Sequence, residues 1–500
     1  MSALHSPYHS RPSIDRALDA FSPAVDMLKA LRQRKVSATE LLAMHLRRIE
    51  RYDGALNSVV VKDFERATGD AALADAKRMR GEDWPLLGLP VTVKESVDVE
   101  GLPTTAGVSE RRGHRAAADA RTVARLRAAG AVVVGKTNVC VYLADFQADN
   151  PVYGRTNSPW NLKLTPGGSS GGSATLAAGL IPLDLGSDLG GSIRIPAAFC
   201  GLWGHKPSDS LVPNSGNFPG SELPNAATTL AIQGPHARSA FDLEMALDVI
   251  SGPDVGPDSA WKLELPPARR ERLADFRVAV LPPQDWLPVD PEISGALDQL
   301  AARLRELGAT VSVMQPPGLG SLRDYYRLFR SLMSVIVSVR WPPELRERVV
   351  ADKLARGEEF HAADAQGIKA SAADYVKWHE QRERYRAAYR AFFREWDLLL
   401  TPMSIVPAFA HTTVPNADRR FTVGARQVEF EYLSFYPGMA TLCGQPGTAF
   451  PAGFTRAGLP IGLQAIGPFL EDRTPLRFAQ LLEKEFGGFR PPPGYDGKLA

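Results

Sequence analysis

Glycine and serine residues mark the stretch of the sequence that could carry chemistry, residues 165–207. It contains two Gly-Gly-Ser turns, one at Ser169 and one at Ser192, which bracket a predicted short helix and an apolar strand. Such turns let the backbone approach a ligand closely and leave N–H groups that can bind a developing anion. The pattern indicates acyl transfer to a serine, although two ordinary tight turns could have the same sequence.

A lysine upstream of these turns could supply the base that a serine nucleophile needs. The segment P-V-T-V-K-E reads as a short strand through Val91 and Val93 that runs into Lys94. Simple alternation would turn Lys94 towards solvent. The competing interpretation buries the amine, which favours its neutral form and lets it accept a proton. Glu95 would oppose that shift if its carboxylate lay close, so the sequence leaves both interpretations open.

Two further motifs match known patterns only formally. Gly130 to Thr137 has the spacing of a phosphate-binding P-loop, but its four variable residues are one alanine and three valines, which predict a strand. Gly167 to Gly171 reads G-x-S-x-G, as in a nucleophile elbow, yet loop-like residues precede it and no later histidine has a matching context. Nucleotide binding and a Ser-His-Asp triad are therefore minor alternatives.

Apolar periodicity predicts that helices and strands alternate around these motifs. A capping box at Ser37 and Glu40 marks the start of one helix. The predicted helices lie within 22–52 and over 63–80, 119–129, 174–178, 239–250, 292–307 and 476–486. The predicted strands include 131–134, 180–185, 278–281, 311–313, 397–400, 446–460 and 459–466. Residues 320–396 read as mostly helical and aromatic, and residues 404–435 as irregular.

The composition is that of an ordinary globular protein. The chain has 500 residues, of which 44% are hydrophobic and 23% charged, and a formal net charge of +2. This balance argues against a large nucleic-acid or membrane surface, and no run approaches the roughly 18 apolar residues of a membrane span. Three widely spaced cysteines and an N-terminus without an apolar core predict neither disulfides nor a secretory signal, so a cytoplasmic location is expected.

Three segments together resemble the amidase signature family. They are G-L-P-V-T-V-K-E-S-V-D-V-E-G around Lys94, the stretch from P-G-G-S-S-G-G-S through G-S-D-L-G-G-S-I-R-I-P-A to G-H-K-P between Pro166 and Pro207, and the closing G-L-P-I-G-L-Q-A-I-G that ends at Gly467. The resemblance runs over roughly residues 25–487. Two glycine-serine turns at this separation, together with an upstream lysine, are far more specific than any single short motif.

The resemblance implies a Ser-Ser-Lys triad. Ser192 corresponds to the nucleophile, Ser169 to a bridging serine that usually follows a cis peptide bond, and Lys94 to the terminal base. It also implies an oxyanion hole made by the backbone N–H groups of Leu189, Gly190, Gly191 and Ser192.

Further predictions concern substrate contact and support. We expect Leu143 and Phe146 to contact the acyl group and the helical region 320–396 to set specificity. Asp188 and Arg194 are interpreted as structural supports of the second turn. No metal and no other cofactor is predicted.

The fold implied by the resemblance is a single large α/β domain, with a mixed twisted β-sheet covered by helices on both faces. We expect an N-terminal arm over residues 1–22, an amidase domain over 23–490 whose signature occupies 88–207, and a C-terminal tail over 491–500.

The predicted activity is hydrolysis of a carboxylic amide through a serine acyl-enzyme. Esters and carbamates are further candidate substrates because they pass through the same kind of intermediate. The main alternative is the family's glutamine-hydrolysing amidotransferase subunit, and a remote one is a P-loop-like nucleotide-binding protein. The expected partner is a small-molecule amide, without nucleic acid or membrane, and the sequence leaves a homodimer open.

Overall fold

The computed structural model of the chain describes residues 18–218, 223–225 and 229–495. The strands in these residues are β1 (Val59–Lys62), β2 (Pro90–Lys94), β3 (Val132–Thr137), β4 (Asp149–Asn150), β5 (Gly154–Arg155), β6 (Leu183–Asp188), β7 (Trp203–Lys206), β8 (Ile232–Ala237), β9 (Arg277–Val280), β10 (Thr310–Val313), β11 (Leu398–Pro402), β12 (Arg420–Val423), β13 (Arg426–Glu429), β14 (Gly447–Phe454) and β15 (Pro460–Ile466). The α-helices are α1 (Ala24–Arg32), α2 (Ala38–Leu56), α3 (Phe64–Met79), α4 (Arg121–Ala128), α5 (Gly172–Ala177), α6 (Arg194–Cys200), α7 (Ala240–Ile250), α8 (Pro291–Glu306), α9 (Leu322–Ser338), α10 (Pro343–Arg356), α11 (Glu359–Ile368), α12 (Ala372–Glu395), α13 (Phe435–Thr441) and α14 (Arg473–Phe486).

Eleven strands form one mixed sheet in the order β1–β3–β2–β6–β8–β7–β14–β15–β11–β9–β10. The neighbours β3, β2 and β6 run parallel, as do β11, β9 and β10, whereas the strands between these two groups pair antiparallel. Val93 of β2 lies opposite Leu185 of β6. Because the two strands are parallel, Lys94 at the end of β2 and the turn that follows β6 lie at the same edge of the sheet.

Apolar side chains cover both faces of this sheet. In β11, Leu398 and Leu400 belong to one hydrophobic core and Leu399 to a second, because successive strand residues point to opposite faces. Helices α1–α4, α7, α8 and α14 pack into the first core, and α5, α6, α9 and α11–α13 into the second. The predicted single α/β domain with helices on both faces is confirmed.

Many of the predicted elements occur close to the expected positions. In the capping box of α2, Ser37 Oγ accepts a hydrogen bond from Glu40 N at 3.1 Å, and Glu40 Oε2 accepts one from Ser37 N at 2.8 Å. The predicted helical region 320–396 consists of α9, α10, α11 and α12.

The helix and strand between the two Gly-Ser turns have different bounds from those predicted. α5 begins at residue 172 instead of 174, and β6 covers residues 183–188 instead of 180–185. Gly179 adopts a φ of 69°, and Leu180 N donates to Thr175 O at 2.9 Å, which ends the helix with a turn. Pro182 follows and has no N–H group for a ladder, so the strand begins only after it.

Other elements have weak sequence patterns and were not predicted. They are β1, β7, β8, α6 and α13, and the segment expected to be irregular, 404–435, contains the hairpin of β12 and β13. β8 includes Gly234 and Pro235, which both disfavour strands. Pro235 nevertheless lies opposite Leu185 of β6, so tertiary pairing overrides the local preference.

The predicted terminal segments fall partly beyond the described part of the chain. Residues 1–17 and 496–500 lie outside the described residues. The rest of the predicted arm packs on the domain, where the carbonyl of Ala20 accepts a hydrogen bond from Arg238 Nη2 at 3.0 Å. Tyr495 packs its ring on a tyrosine of α2, with the centroids 5.1 Å apart.

Candidate active site

Lys94 is the last residue of β2, and its side chain is fully buried. Its Nζ atom donates hydrogen bonds to Ser169 Oγ at 2.7 Å and to the carbonyl oxygen of Ser187 at 3.3 Å. Burial lowers the pKa of Lys94 to about 8, although the carboxylates of Asp188 and Asp184 oppose the shift. The solvent-exposed position that alternation allowed is therefore wrong, because β2 is covered on both faces. A sizeable fraction of the amine is neutral near pH 8 and can accept a proton.

Glu95 follows Lys94, but its carboxylate is engaged elsewhere. Its two oxygens accept hydrogen bonds from the N–H groups of Thr105 at 2.6 Å and Ala106 at 2.9 Å, and Oε1 also accepts one from the Tyr153 hydroxyl at 2.9 Å. These donors hold the carboxylate on the loop after β2. It therefore does not keep the Lys94 amine protonated.

The first Gly-Ser turn brings Ser169 to the amine of Lys94. The peptide bond between Gly168 and Ser169 is cis, as the resemblance implies. A Cβ atom on Gly168 would lie 2.5 Å from the carbonyl oxygen of Asp145, so only glycine fits. The first turn thus packs directly against the loop of residues 142–146.

Asp188 and Arg194 hold the second turn. Arg194 Nε and Nη2 donate to the two carboxylate oxygens of Asp188 at 2.9 and 2.8 Å, and both side chains are fully buried. The same carboxylate accepts the N–H groups of Gly191 at 2.9 Å and Ile193 at 3.1 Å. Burial alone would raise the pKa of Asp188, but the Arg194 guanidinium outweighs burial and lowers it to about 2. An ionised carboxylate therefore fixes the backbone on both sides of Ser192.

The backbone N–H groups near Ser192 are of two kinds. Gly191 donates its N–H to Asp188, so this group is not available to a substrate. The site therefore differs from the four-donor oxyanion hole that the resemblance implies. Within the described part of the chain, the N–H groups of Leu189, Gly190 and Ser192 meet no hydrogen-bond acceptor. These three donors can receive a substrate oxygen.

A cavity of about 350 Å³ lies beside the two turns. The predicted site residues that line it are Ser169, Ser192, Asp188, Leu189, Gly190, Leu143 and Phe146. Lys94, Gly191 and Arg194 are not part of its lining. Ser192, which is 8% exposed, and Ser169 therefore face the same space, with the buried amine behind Ser169.

The helical region forms much of the remaining wall of this cavity. Arg330, Met333, Ser334 and Val337 line it from α9, and their spacing places them on one face of that helix. Other lining residues that the sequence analysis did not single out include Tyr142, Phe218, Trp341, Lys353, Asp364, Phe430, Glu431 and Ser434. The helical spacing of the α9 residues could have shown that they share one face of the helix. Which face of α9 meets the two Gly-Ser turns depends on tertiary packing, so the sequence could not assign these residues to the cavity.

The P-loop match is not a phosphate-binding loop. β3 forms its last six residues, so the lysine lies in a strand instead of before a helix. Lys136 Nζ donates to the carbonyl oxygen of Pro103 at 2.5 Å and to Thr104 Oγ1 at 2.9 Å. Its amine is fully buried among these partners, so nucleotide binding through this motif is contradicted.

The Ser-His-Asp alternative also lacks its histidine. None of the histidines in the described ranges lines the cavity. His236 lies with Nε2 2.9 Å from the carbonyl oxygen of Ile193, and His205 has Nε2 3.1 Å from Asp472. Both rings are fully buried in the packing of the sheet. The G-x-S-x-G match is therefore not a nucleophile elbow.

Comparison with known proteins identifies the family of this chain. The family model for amidases matches residues 40–476. The indoleacetamide hydrolase of Bradyrhizobium diazoefficiens is 32% identical over 460 residues, which cover 90% of this chain and 84% of that protein. A glutamyl-tRNA(Gln) amidotransferase subunit of Alkaliphilus metalliredigens is 30% identical over 498 residues, covering 94% and 97%.

A solved structure also has a similar fold. It is described as an inhibitor-bound form of a vestigial protein complex that reveals the evolutionary origins of an s-triazine catabolic enzyme. It is 29% identical, has a TM-score of 0.78, and covers 93% of this chain and 99% of its own. The chain belongs to the amidase signature family, whose members hydrolyse amide C–N bonds. In the described residues, no helix is both long and apolar enough to cross a membrane.

Proposed function

We propose that the protein hydrolyses a carboxylic amide with Ser192 as nucleophile, Ser169 as proton relay and Lys94 as base. Ser192 Oγ attacks the carbonyl carbon while its proton passes to Ser169 and the Ser169 proton passes to neutral Lys94. The C–N bond then breaks as the ammonium of Lys94 returns a proton through Ser169 to the departing nitrogen. Water attacks the Ser192 ester along the same relay and releases the acid.

The observation that carries this proposal is the hydrogen bond of 2.7 Å between Lys94 Nζ and Ser169 Oγ. An amine with a pKa of about 8 is partly neutral near that pH and can accept a proton. An ordinary surface lysine is almost fully protonated at the same pH and cannot. Because Ser169 lines the same cavity as Ser192, the relay can reach the nucleophile. The role of the relay is to protonate an amine that is otherwise a poor leaving group.

The oxyanion of the tetrahedral intermediate is proposed to lie at the N–H groups of Leu189, Gly190 and Ser192. Each such donor stabilises the transition state by about 3–4 kcal/mol in comparable acyl-transfer sites. Asp188 and Arg194 act as supports that keep these donors aligned. Their mutual hydrogen bonds and the bond from Gly191 N to Asp188 favour this role.

The loop of residues 142–146 is proposed to contact the substrate through Leu143 and Phe146. Both side chains line the cavity, and Phe146 packs on Phe430 with ring centroids 5.6 Å apart. An apolar surface of this kind suits a substrate with an apolar segment next to the amide. Esters and carbamates that fit the cavity are expected to react through the same acyl-enzyme.

Trapping the acyl-enzyme tests the proposed function. A slowly deacylating activated ester or carbamate should add its acyl mass to the peptide that contains Ser192, as measured by mass spectrometry. Ser192→Ala should abolish the adduct without changing the circular dichroism spectrum. Labelling of a different residue, or equal labelling of the variant, would count against Ser192 as the nucleophile.

A second candidate function is supply of ammonia from glutamine within a larger assembly. It is favoured by the similarity to the glutamyl-tRNA(Gln) amidotransferase protein of Alkaliphilus metalliredigens. The isolated chain should then hydrolyse simple aryl amides poorly and require partner proteins for glutamine. Efficient turnover of aryl or aliphatic amides by the purified chain alone would favour the amidase function.

The cytoplasmic location and a homodimer stay predictions. A single symmetric species of twice the chain mass in light scattering, unchanged over a tenfold dilution, would support the dimer. Fractionation of cells that express the protein would test the location.

A further inference from the structure

A charged cluster forms part of the cavity wall away from Lys94. Arg330 of α9 donates to both carboxylate oxygens of Asp364, from Nε at 2.9 Å and from Nη2 at 2.5 Å. Lys353 of α10 donates to the same carboxylate at 2.7 Å. All three side chains line the cavity. Both cations therefore donate hydrogen bonds to one carboxylate at this place.

The cluster lies close to the second Gly-Ser turn. A Cβ atom placed on Gly190 would be 3.2 Å from Met333 Sδ and 3.9 Å from Ser434 Cβ. Ser434 Oγ in turn accepts a hydrogen bond from Arg330 Nη1 at 3.2 Å. One side chain thus separates the Arg330 guanidinium from the turn that carries the free N–H donors. A substrate carbonyl held by that turn would have its neighbouring atoms within reach of this wall.

The cluster has more donors than acceptors. A guanidinium has five N–H groups and an ammonium three. Arg330 uses three of its N–H groups and Lys353 one, so two on each side chain have no hydrogen-bond acceptor among the described residues. The nearest further carboxylate oxygen is on Glu431, 4.0 Å from Lys353 Nζ.

Three other carboxylates of the wall pair with arginines outside it: Asp145 with Arg419, Asp188 with Arg194, and Asp352 with Arg356. Glu431 lies 3.0 Å from His361 Nε2, and despite burial this contact, together with Arg330 and Lys353, lowers the pKa of Glu431. Burial alone would raise the pKa of Asp364, but Arg330 and Lys353 outweigh it and hold that pKa below its usual value. Asp364 is therefore ionised and accepts hydrogen bonds from both cations, which still keep unused N–H groups.

We propose that Arg330 and Lys353 bind a carboxylate at the far end of the acyl chain, so that the preferred substrates are monoamides of dicarboxylic acids. This inference rests on the proposed amidase function. A carboxylate supplies the acceptors that the free N–H groups of both cations lack. The apolar segment between the two ends of the substrate would lie along Met333 and Val337, which line the same face of α9.

The acyl side is assigned by the positions of the two turns. The departing amine must lie next to Ser169, which protonates it, and the turn of Ser169 packs on the loop of residues 142–146. The second turn packs on Met333 of α9 instead. The acyl chain, which extends away from the amine, therefore faces α9 and Arg330. Leu143 and Phe146 would then contact the amine side as well as the carbonyl.

A matched set of three para-nitroanilides tests this proposal with the unmodified protein. Their acyl groups come from hexanoic acid, from adipic acid as its monoanilide, and from omega-aminopentanoic acid. The three chains have equal length and end in methyl, carboxylate and ammonium. The expected kcat/KM is at least about tenfold higher for the carboxylate than for the methyl group, because hydrogen bonds to charged groups are worth this much. A preference for methyl or for ammonium, which the unbonded Oε2 of Glu431 could favour, would overturn the proposal.

A variant and its matched control test the assigned residues. Lys353→Met should reduce the ratio of kcat/KM between the carboxylate and methyl substrates by about tenfold. Lys369→Met, which removes an exposed lysine at the end of α11 outside the cavity, should leave that ratio unchanged. An unchanged ratio in Lys353→Met would overturn the assignment, and thermal melting of both variants checks that they are folded.

The outcomes separate this inference from the proposed function. Cleavage of all three anilides without preference would overturn the carboxylate site and leave the amidase function intact. Failure of the protein to cleave any of them would count against both. A preference only for a carboxylate on the amine, measured with acetyl-para-aminobenzoate against acetanilide, would also overturn the acyl-side assignment.

Discussion

Lys94 Nζ and Ser169 Oγ lie 2.7 Å apart although 75 residues separate them in the chain. Lys94 lies at the end of β2. Ser169 lies in the first Gly-Ser turn, which packs against the loop of residues 142–146, and this packing places the hydroxyl next to the amine. The amine has been removed from water, and the hydroxyl faces the cavity that also contains Ser192. In the proposed mechanism, this contact is what lets the buried lysine exchange protons with a bound substrate.

Replacing Lys94 should harm amide hydrolysis more than ester hydrolysis. In Lys94→Met, kcat/KM for an amide is expected to fall by about 10²–10⁴-fold, because no base accepts the proton of the nucleophile and no acid protonates the amine. An activated ester with a para-nitrophenolate leaving group needs no proton on that group, so its loss should be smaller. Parallel stopped-flow or absorbance assays of both substrates provide the measurement.

Lys136→Met is the matched control for that variant. Lys136 is equally buried, lies on the adjacent strand β3, and also has a pKa lowered by burial to about 8. Its amine donates to Pro103 and Thr104 instead of Ser169, so any effect should be the same for amide and ester. Equal losses on both substrates in Lys94→Met itself would contradict the proton relay.

Removing either serine should separate nucleophile from relay. Ser192→Ala is expected to reduce kcat by about 10⁵–10⁶-fold for amides and esters alike, as for other serine nucleophiles. Ser169→Ala should retain the nucleophile and lose about 10²–10⁴-fold, with activated esters again less affected. If Ser169→Ala lost as much ester hydrolysis as Ser192→Ala, the assignment of the two roles would be wrong.

The pH dependence of kcat/KM should report the deprotonation of Lys94. Burial lowers the pKa of this amine to about 8, so the neutral, active form accumulates as the pH rises through that value. Activity should therefore increase with pH and level off above about pH 8. The inflection should disappear in Lys94→Met. A profile that falls over the same range would exclude a neutral lysine base.

Asp188→Asn should destabilise the second turn. The substitution leaves the buried guanidinium of Arg194 without its anionic partner and weakens the acceptor of Gly191 N and Ile193 N. Removing one member of a buried pair typically costs about 3–5 kcal/mol, measurable by urea unfolding. Asp275→Asn, which breaks a solvent-exposed pair with Arg272, is the control and should leave the unfolding midpoint unchanged.

Asp188→Asn should also change the activity and its pH profile. If Asp188 only supports the turn, kcat of the folded variant should fall while a pH inflection persists, shifted below 8 because the Asp188 charge no longer raises the pKa of Lys94. Loss of the inflection with a stable fold would instead assign Asp188 a direct part in proton transfer.

Local signals were sufficient for the elements that show regular periodicity. The strand that ends at Lys94 and the helical character of residues 320–396 could be predicted from the sequence, and the structure has β2 and α9–α12 there. β8 could not, because Gly234 and Pro235 disfavour a strand and only pairing with β6 stabilises it there. The late start of β6 likewise follows from a turn around Gly179 and Pro182.

The sequence by itself determined the kind of chemistry, because Lys94, Ser169 and Ser192 occur in motifs whose residue types and spacing are specific. The tertiary structure decided whether the lysine was buried, since alternation along β2 allowed either side and only the helices on both faces exclude water. It also decided which N–H groups are free, because Asp188 takes the one on Gly191. Burial and hydrogen-bond partners arise from residues distant in the chain, and no local pattern encodes them.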